Sequence, residues 1–400
     1  MTRLGPLAER EFRLLFFGRA VSYLGNAMAP IALAFAVLGL TGSKSDLGFV
    51  LAARTSPQIV FLLIAGIWAD RLPRHHVMVA SSVLSGASQG TLATLLLTHH
   101  AELWHLLAIS AVNGTSSAFF FPASQGIVPQ TVPPEMIQQA NALVRIALNS
   151  TNVIGAAVGG GIVAAAGPGW AVAVDAATFA AAALFAGAMR LPPTLRLEAA
   201  NFVRELAEGW RAFSSRTWLW SIVLQFSLLN AAAQGAFQVL GPAQAKAHLG
   251  GAGVWGAILA CQAAGLIGGG LAMLRLKPER ILLVATFSIL TLAPPLVLLG
   301  PPAPAAVIAA SAFAMGLGIE VFVVCWDTTM QQQIPGEMLS RVYSYDALGS
   351  LVLIPVGFAI AGPLANAIGT HAALYAAAAV VVGVTLPIFG VRDVRELRRK

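Results

Sequence analysis

The chain has 400 residues, 57% of them hydrophobic and only 10% charged, with a formal net charge of +7. A water-soluble domain carries about 25% charged residues, so the composition excludes a soluble globular protein, and basic residues scattered through short segments exclude a nucleic-acid-binding face. The two cysteines, Cys261 and Cys325, each sit inside an apolar run, which excludes a disulfide framework and a closely spaced thiolate metal site.

In chain order, apolar runs of the length that crosses a bilayer as a helix predict twelve spans. They are 12–40, 47–69, 77–98, 104–128, 141–166, 169–189, 217–243, 251–274, 281–299, 305–331, 342–366 and 372–391. The first run is too long to be the apolar core of a signal peptide. With both termini in the cytoplasm, Lys44 and Lys246 alone among the 24 lysines and arginines fall in outside loops. Arg19, Arg54 and Arg145 fall within spans, and the rest lie inside, as the positive-inside rule requires.

The expected fold class is therefore an all-α membrane protein, twelve transmembrane helices in two six-helix pseudo-repeated bundles. Residues 1–189 form the first bundle, 190–216 a cytoplasmic linker, and 217–400 the second bundle with a short basic tail. In the linker, Phe202, Leu206, Trp210 and Phe213 recur at helical spacing opposite Arg204, Glu208 and Arg211. That pattern predicts an amphipathic helix lying on the membrane surface. The repeat shows in Val132-Pro133-Pro134-Glu135-Met136, which reads like Ile334-Pro335-Gly336-Glu337-Met338. The same offset carries Gln130 onto Gln332, Gly155 onto Gly357, Gly160 onto Gly362 and Gly167 onto Gly369. Two similar bundles in parallel order suit a transporter that rocks about a central site.

Between the second and third spans stands Gly66-x-x-x-Asp70-Arg71-x-x-Arg74. The charge bias of inside loops explains Arg71 and Arg74 but neither Gly66 nor Asp70. A glycine there lets its helix approach a neighbour closely. An acid at that helix end can face the positive N-terminus of another helix, and the arginines can pair with acids or anionic lipid headgroups.

Charges within the bilayer are costly, which makes each a functional candidate. Glu320 lies near the middle of the tenth span, and Asp327 follows about two turns later on nearly the same face. Both are candidates for a proton or cation site, since a buried carboxylate suits reversible protonation; a structural salt bridge of Arg19 with either acid is the alternative. Asp175 reads as a structural hydrogen-bonding group, Arg54 as a partner for Asp46, and Arg145 and Asp346 as side chains that snorkel at helix ends. Polar stripes at helical spacing run through Arg19, Tyr23 and Asn26, through Asn113, Ser117, Phe120 and Ser124, and through Ser227, Asn230, Gln234 and Gln238. Trp326, with Phe119, Phe120 and Phe121, offers aromatic surface for an apolar pocket.

The loop signature resembles that of the major facilitator superfamily, with Pro73 where the family has a glycine. The stretches "EFRLLFFGRAVSYLGNAM" (11–28), "FFPASQGIVPQTVPPEMIQQANAL" (120–143) and "IGAAVGGGIVAAAGPGWAVAVDAATF" (154–179) resemble the drug-efflux branch that includes macrolide and enterobactin exporters. The 155–160 segment lacks the proline of the antiporter motif, and Leu274 stands where a second copy of the signature would place its acid. The resemblance implies that Gly66, Asp70, Arg71 and Arg74 form a gate against the eleventh helix near Arg341. It also implies that helices 1, 4, 7 and 10 surround a central cavity. Arg19, Tyr23, Asn26, Asn113, Ser117, Phe120, Asn230, Gln234, Gln238 and Trp326 are then its expected lining.

The implied function is secondary active transport, a proton-coupled antiporter exporting hydrophobic or amphipathic small molecules by alternating access across a bacterial inner (plasma) membrane. A siderophore exporter, an uptake symporter on the same fold, and a non-transporting sensor or scaffold are the alternatives. No P-loop points to ATP, and no nucleophile–base set points to an enzyme. Expected partners are an amphipathic substrate, protons and membrane lipids, with no cofactor, metal or nucleic acid, and the chain is expected to act as a monomer.

Overall fold

Away from water, a backbone must satisfy its N–H and C=O groups internally, and a helix does so within one segment. In the computed structural model, residues 5–71, 73–191, 209–276 and 278–397 are described, with side chains described at all of these except 62–71, 122, 125, 126, 336, 337 and 340. The first six long rods are α1 (Arg10–Leu40), α2 (Lys44–Arg71), α3 (Arg74–Leu97), α4 (Leu103–Gly126), α5 (Ile137–Ala166) and α6 (Pro168–Gly187). Then come α7 (Thr217–Leu249), α8 (Ala252–Arg275), α9 (Ile281–Leu298), α10 (Ala305–Gln333), α11 (Gly336–Ile368, broken once) and α12 (Thr370–Gly390). These rods lie over the predicted spans, and no strand occurs among the described residues.

Among the described residues, nine helices are long and apolar enough, by length and composition, to cross a membrane. The 24 residues of α8 extend about 36 Å, enough for a hydrocarbon core about 30 Å thick. The outward surface confirms the solvent: Leu184, Leu274 and Phe287 are 76%, 75% and 67% exposed, a pattern water would penalise. Trp104, Trp170 and Trp220, near the starts of α4, α6 and α7, are also exposed, where amphipathic rings favour the interface.

The chain packs as two units, residues 1–197 with 251–260, and residues 198–250 with 261–400. The first turns of α8 thus group with the first unit. In that unit α1 packs on α5 and α6, α2 on α4, and α3 on α4 and α6. At its surface, the Arg190 N–H donates to Glu11 Oε2 at 2.8 Å and Arg10 to the Ala188 carbonyl at 3.1 Å, tying the start of α1 to the end of α6. In the second unit α7 packs on α11 and α12, and α9 on α10 and α12.

Glycines set the tightest crossings. A methyl group on Gly114 of α4 would run into the Arg54 carbonyl of α2, and one on Gly316 of α10 into the Gln262 carbonyl of α8. Likewise Gly155 of α5 abuts the Leu24 carbonyl of α1, and Gly357 of α11 the Ala231 carbonyl of α7. Gly114 and Gly316 stand at the same offset as the sequence repeat. So do Gly167 and Gly369, which end α5 and α11 with φ of 89° in both, a conformation glycine adopts without penalty.

Among the described residues, α12 ends in a 3₁₀ turn at Leu386–Gly390, and three helices depart from regular geometry within their length. α7 contains π turns at Ala236–Leu240 and Ala245–Leu249. α9 tightens to 3₁₀ at Ile289–Leu292 ahead of Pro294 and Pro295. α11 breaks at 352–353, ahead of Pro355, where the ring cannot continue the hydrogen-bond ladder.

Of the predicted linker helix, 192–208 lie outside the described residues. Residues 209–214 are helical, and Trp210 and Phe213 pack on Tyr345 of α11 with ring centroids 5.5 and 6.0 Å away. The side chains of Gly66, Asp70 and Arg71 also lie outside the described residues; their backbone forms the end of α2. Arg74 opens α3, half-buried.

Candidate functional site

The end of α10 meets the first half of α11, and the two helices bring a set of polar side chains together. Tyr343 donates its hydroxyl to Asp327 Oδ1 at 3.0 Å. The Trp326 indole N–H donates to Asp346 Oδ2 at 3.1 Å, and Ser350 lies 3.4 Å from Oδ1 of the same carboxylate. Asp327 and Asp346 are within electrostatic reach of one another, and both are half-buried. Asn230 of α7 donates to the Ser350 carbonyl at 3.1 Å, just before the break in α11. Trp326 is held in place by stacking on Phe322, which stacks on Phe226, while Trp218 meets its edge. The arrangement can bind a cation, or accept and release a proton, beside rigid aromatic surface.

Tyr343, Asp346 and Ser350 are the members not among the expected site residues. Asp346 read as a snorkelling side chain; the structure turns it onto Trp326. The signal was present, since Tyr343, Asp346 and Ser350 share one helix face at spacings of three and four. Glu320, the other sequence candidate on α10, sits apart from this set. Its side chain lies against Gly269 and Gly270 of α8, with Oε1 3.8 Å from where a methyl on Gly270 would stand. On α7, Ser227 is buried, while Gln234 and Gln238 are half-buried. Gln238 lies within the first π turn, a geometry frequent at functional sites.

In the first unit the predicted stripes fall into different roles. Arg19 is 2% exposed and donates to the Ser124 carbonyl of α4. Asn26 donates back to the Ser22 carbonyl of its own helix at 2.9 Å. Asn113 is buried and donates to Ser88 Oγ of α3 at 3.0 Å, so it joins α4 to α3. Tyr23 and Phe120 pack on an apolar cluster built around Phe12, Leu15 and Met78, and Ser117 is half-buried. The charge that acts on Arg54 is that of Asp175, not the expected Asp46. Asp175 is fully buried and accepts from Gln89 Nε2 at 2.8 Å.

Residues 15–353 match the family model of the Major Facilitator Superfamily. The chain belongs to that superfamily. It is a multi-pass membrane transporter and not an enzyme. It is 26% identical over 396 residues to the multidrug efflux pump Tap of Mycolicibacterium fortuitum, covering 94% of this chain and 93% of the other. It is 21% identical to macrolide efflux protein A of Streptococcus pyogenes, covering 98% of each. Among solved structures, the nucleoside transporter NupG superposes with a TM-score of 0.76 at 12% identity, over 95% of this chain and 98% of that one. A bacterial homologue of the iron transporter ferroportin, in an inward-facing state, gives 0.72 at 16% identity over 95% and 98%. At these identities the superpositions speak to the fold alone.

Proposed function

We propose that this transporter exports hydrophobic or amphipathic small molecules from a bacterial cytoplasm by alternating access, in exchange for protons taken up at the Asp327–Asp346 pair. The observation that carries the reading is that pair: two carboxylates on adjacent helices, each with a specific donor, beside stacked aromatic rings. Gaining or losing one proton changes the charge of such a site by one, which a bound substrate or a moving helix can sense. Glu320 is a further acid on α10 for the same role. Full-length likeness to two efflux proteins supports export. The distribution of basic residues supports an inner-membrane protein with both termini cytoplasmic, and on that orientation Gly66, Asp70, Arg71 and Arg74 form the cytoplasmic latch.

The test is accumulation of a panel of macrolides and dyes in an efflux-deficient bacterium expressing the protein, with and without a protonophore. Lower accumulation of at least one compound is expected, abolished by the protonophore and by Asp346→Asn. Unchanged accumulation across the panel, with the protein present in the membrane, would reject multidrug export. Export that ignores the protonophore would reject proton exchange.

A further inference from the structure

Within the first unit, α1, α2, α3 and α6 converge on Asp175. The carboxylate is fully buried. Oδ2 is held by Gln89 of α3 at 2.8 Å, whereas Oδ1 has no hydrogen-bond partner among the described residues. Oδ1 points at Gly25 of α1, where any methyl group would collide with it and with the Thr178 hydroxyl. The Thr178 hydroxyl, which lies beside the carboxylate, donates to the Asp175 backbone carbonyl at 2.7 Å. The charged side chain acting on the carboxylate is Arg54 of α2, and the backbone of Arg54 is fixed in turn by the crossing with Gly114 of α4. Gln89 and Thr178, the other polar neighbours, do not ionise. Arg54 and Asp175 thus each stand at a helix crossing held close by a glycine.

A carboxylate held only for structure has its oxygens filled by donors, because an unsatisfied buried acceptor is costly. Here one oxygen is left open, and a single cation offsets the charge. Ionised, the acid has Arg54 but an unfilled oxygen; protonated, it gives up that attraction and relieves the unfilled oxygen of its charge. We propose that Asp175 is a second proton-binding site of this transporter. A proton from the aqueous phase binds at Oδ1, Gly25 leaves the space for it, and Arg54 is the counter-charge whose setting changes with it. As a part of the transport cycle, this rests on the proton-exchange reading above; as a titrating site, it stands without it.

The experiment is pH-difference infrared spectroscopy on the full-length transporter reconstituted in lipid, comparing wild type with Asp175→Asn and with Asp346→Asn. On acidification the wild type is expected to gain a protonated-carboxyl C=O band that is lost in Asp175→Asn and retained in Asp346→Asn. Superimposable spectra for wild type and Asp175→Asn would overturn the proposal and leave Asp175 a brace that keeps one protonation state. If Asp175→Asn does not accumulate in the membrane, Asp175→Glu decides the matter, because a glutamic acid absorbs at a shifted frequency. A band that moves supports the assignment, and one that stays put refutes it. An Asp346→Asn spectrum superimposable on wild type, with the Asp175 band intact, would sink the α10–α11 site and leave this one standing.

Discussion

In the first unit, α1 and α2 carry Arg19 and Arg54 among apolar helices, and Asp175 answers the second of them. In the second unit, α10 and α11 carry Glu320, Asp327 and Asp346. The glycine crossings of the two units correspond: Gly114 with Gly316, and Gly155 with Gly357. At the same offset Asp175 falls on Ala377, Glu320 on Ala118 and Asp346 on Val144. The crossings are repeated and the charges are not. A frame that closes without a charge in one unit does not need it in the other, which makes the intramembrane acids candidates for function.

That contrast breaks first if the crossings prove dispensable. Gly114→Leu and Gly316→Leu are expected to be the most damaging substitutions, because each drives a side chain into a neighbouring backbone carbonyl. Overpacking at such a contact costs about 1–3 kcal/mol, a large share of a folding stability of about 5–15 kcal/mol. Gly161→Ala meets nothing within 4 Å and is expected to stay within about 0.5 kcal/mol of wild type. Yield of monodisperse protein and thermal unfolding in detergent measure both. Equal tolerance at Gly316 and Gly161 would mean the repeated crossings do not hold the frame.

The second test is chemical. Asp346→Asn is expected to abolish gradient-driven export while leaving unfolding nearly unchanged, as a charge outside the frame should. Tyr343→Phe removes one hydrogen bond to Asp327, worth about 1.5–3 kcal/mol for a charged acceptor, and is expected to slow export about tenfold. Glu320→Gln, against the glycines of α8, is expected to cost less than Asp346→Asn. An equal loss would extend the site along α10. Asn230→Ala loses the bond to the Ser350 carbonyl and is expected to lower stability by about 1 kcal/mol, read as a shift in the same unfolding curve.

The spans were legible in the sequence because bilayer thickness and backbone satisfaction leave little choice of length or structure, and α1, α4 and α10 begin and end within a few residues of expectation. The repeat was legible where a glycine is obligatory, as at Gly167 and Gly369. The π turns of α7 were not, since apolar residues continue through Ala236–Leu240 without a marker. The set around Asp346 was hidden for another reason. Position along a helix indicates depth, and a residue near a helix end defaults to reaching for water; which neighbour it meets instead depends on how α10 crosses α11. Asp175 was read correctly as a hydrogen-bonding group, but its open oxygen is a property of Gly25, on another helix.

The smallest expected effect lies outside the bilayer, at the start of α3. Burial holds the His75 imidazole below its ordinary value of 6.5; His76, with its ring centroid 4.1 Å away, adds to the effect and Glu11 opposes it. Because the folded state resists protonation, the unfolded chain binds more protons once the pH falls below about 6.5, and stability declines from there until folded His75 also titrates. Above that range His75 contributes no slope. The unfolding temperature is therefore expected to fall modestly between about pH 7 and pH 5, and to fall less in His75→Gln. Glu11→Gln also loses the bond from the Arg190 N–H, so it lowers stability at every pH; its diagnostic feature is a steeper acid slope. If His75→Gln leaves the slope unchanged, the acid sensitivity does not arise at His75.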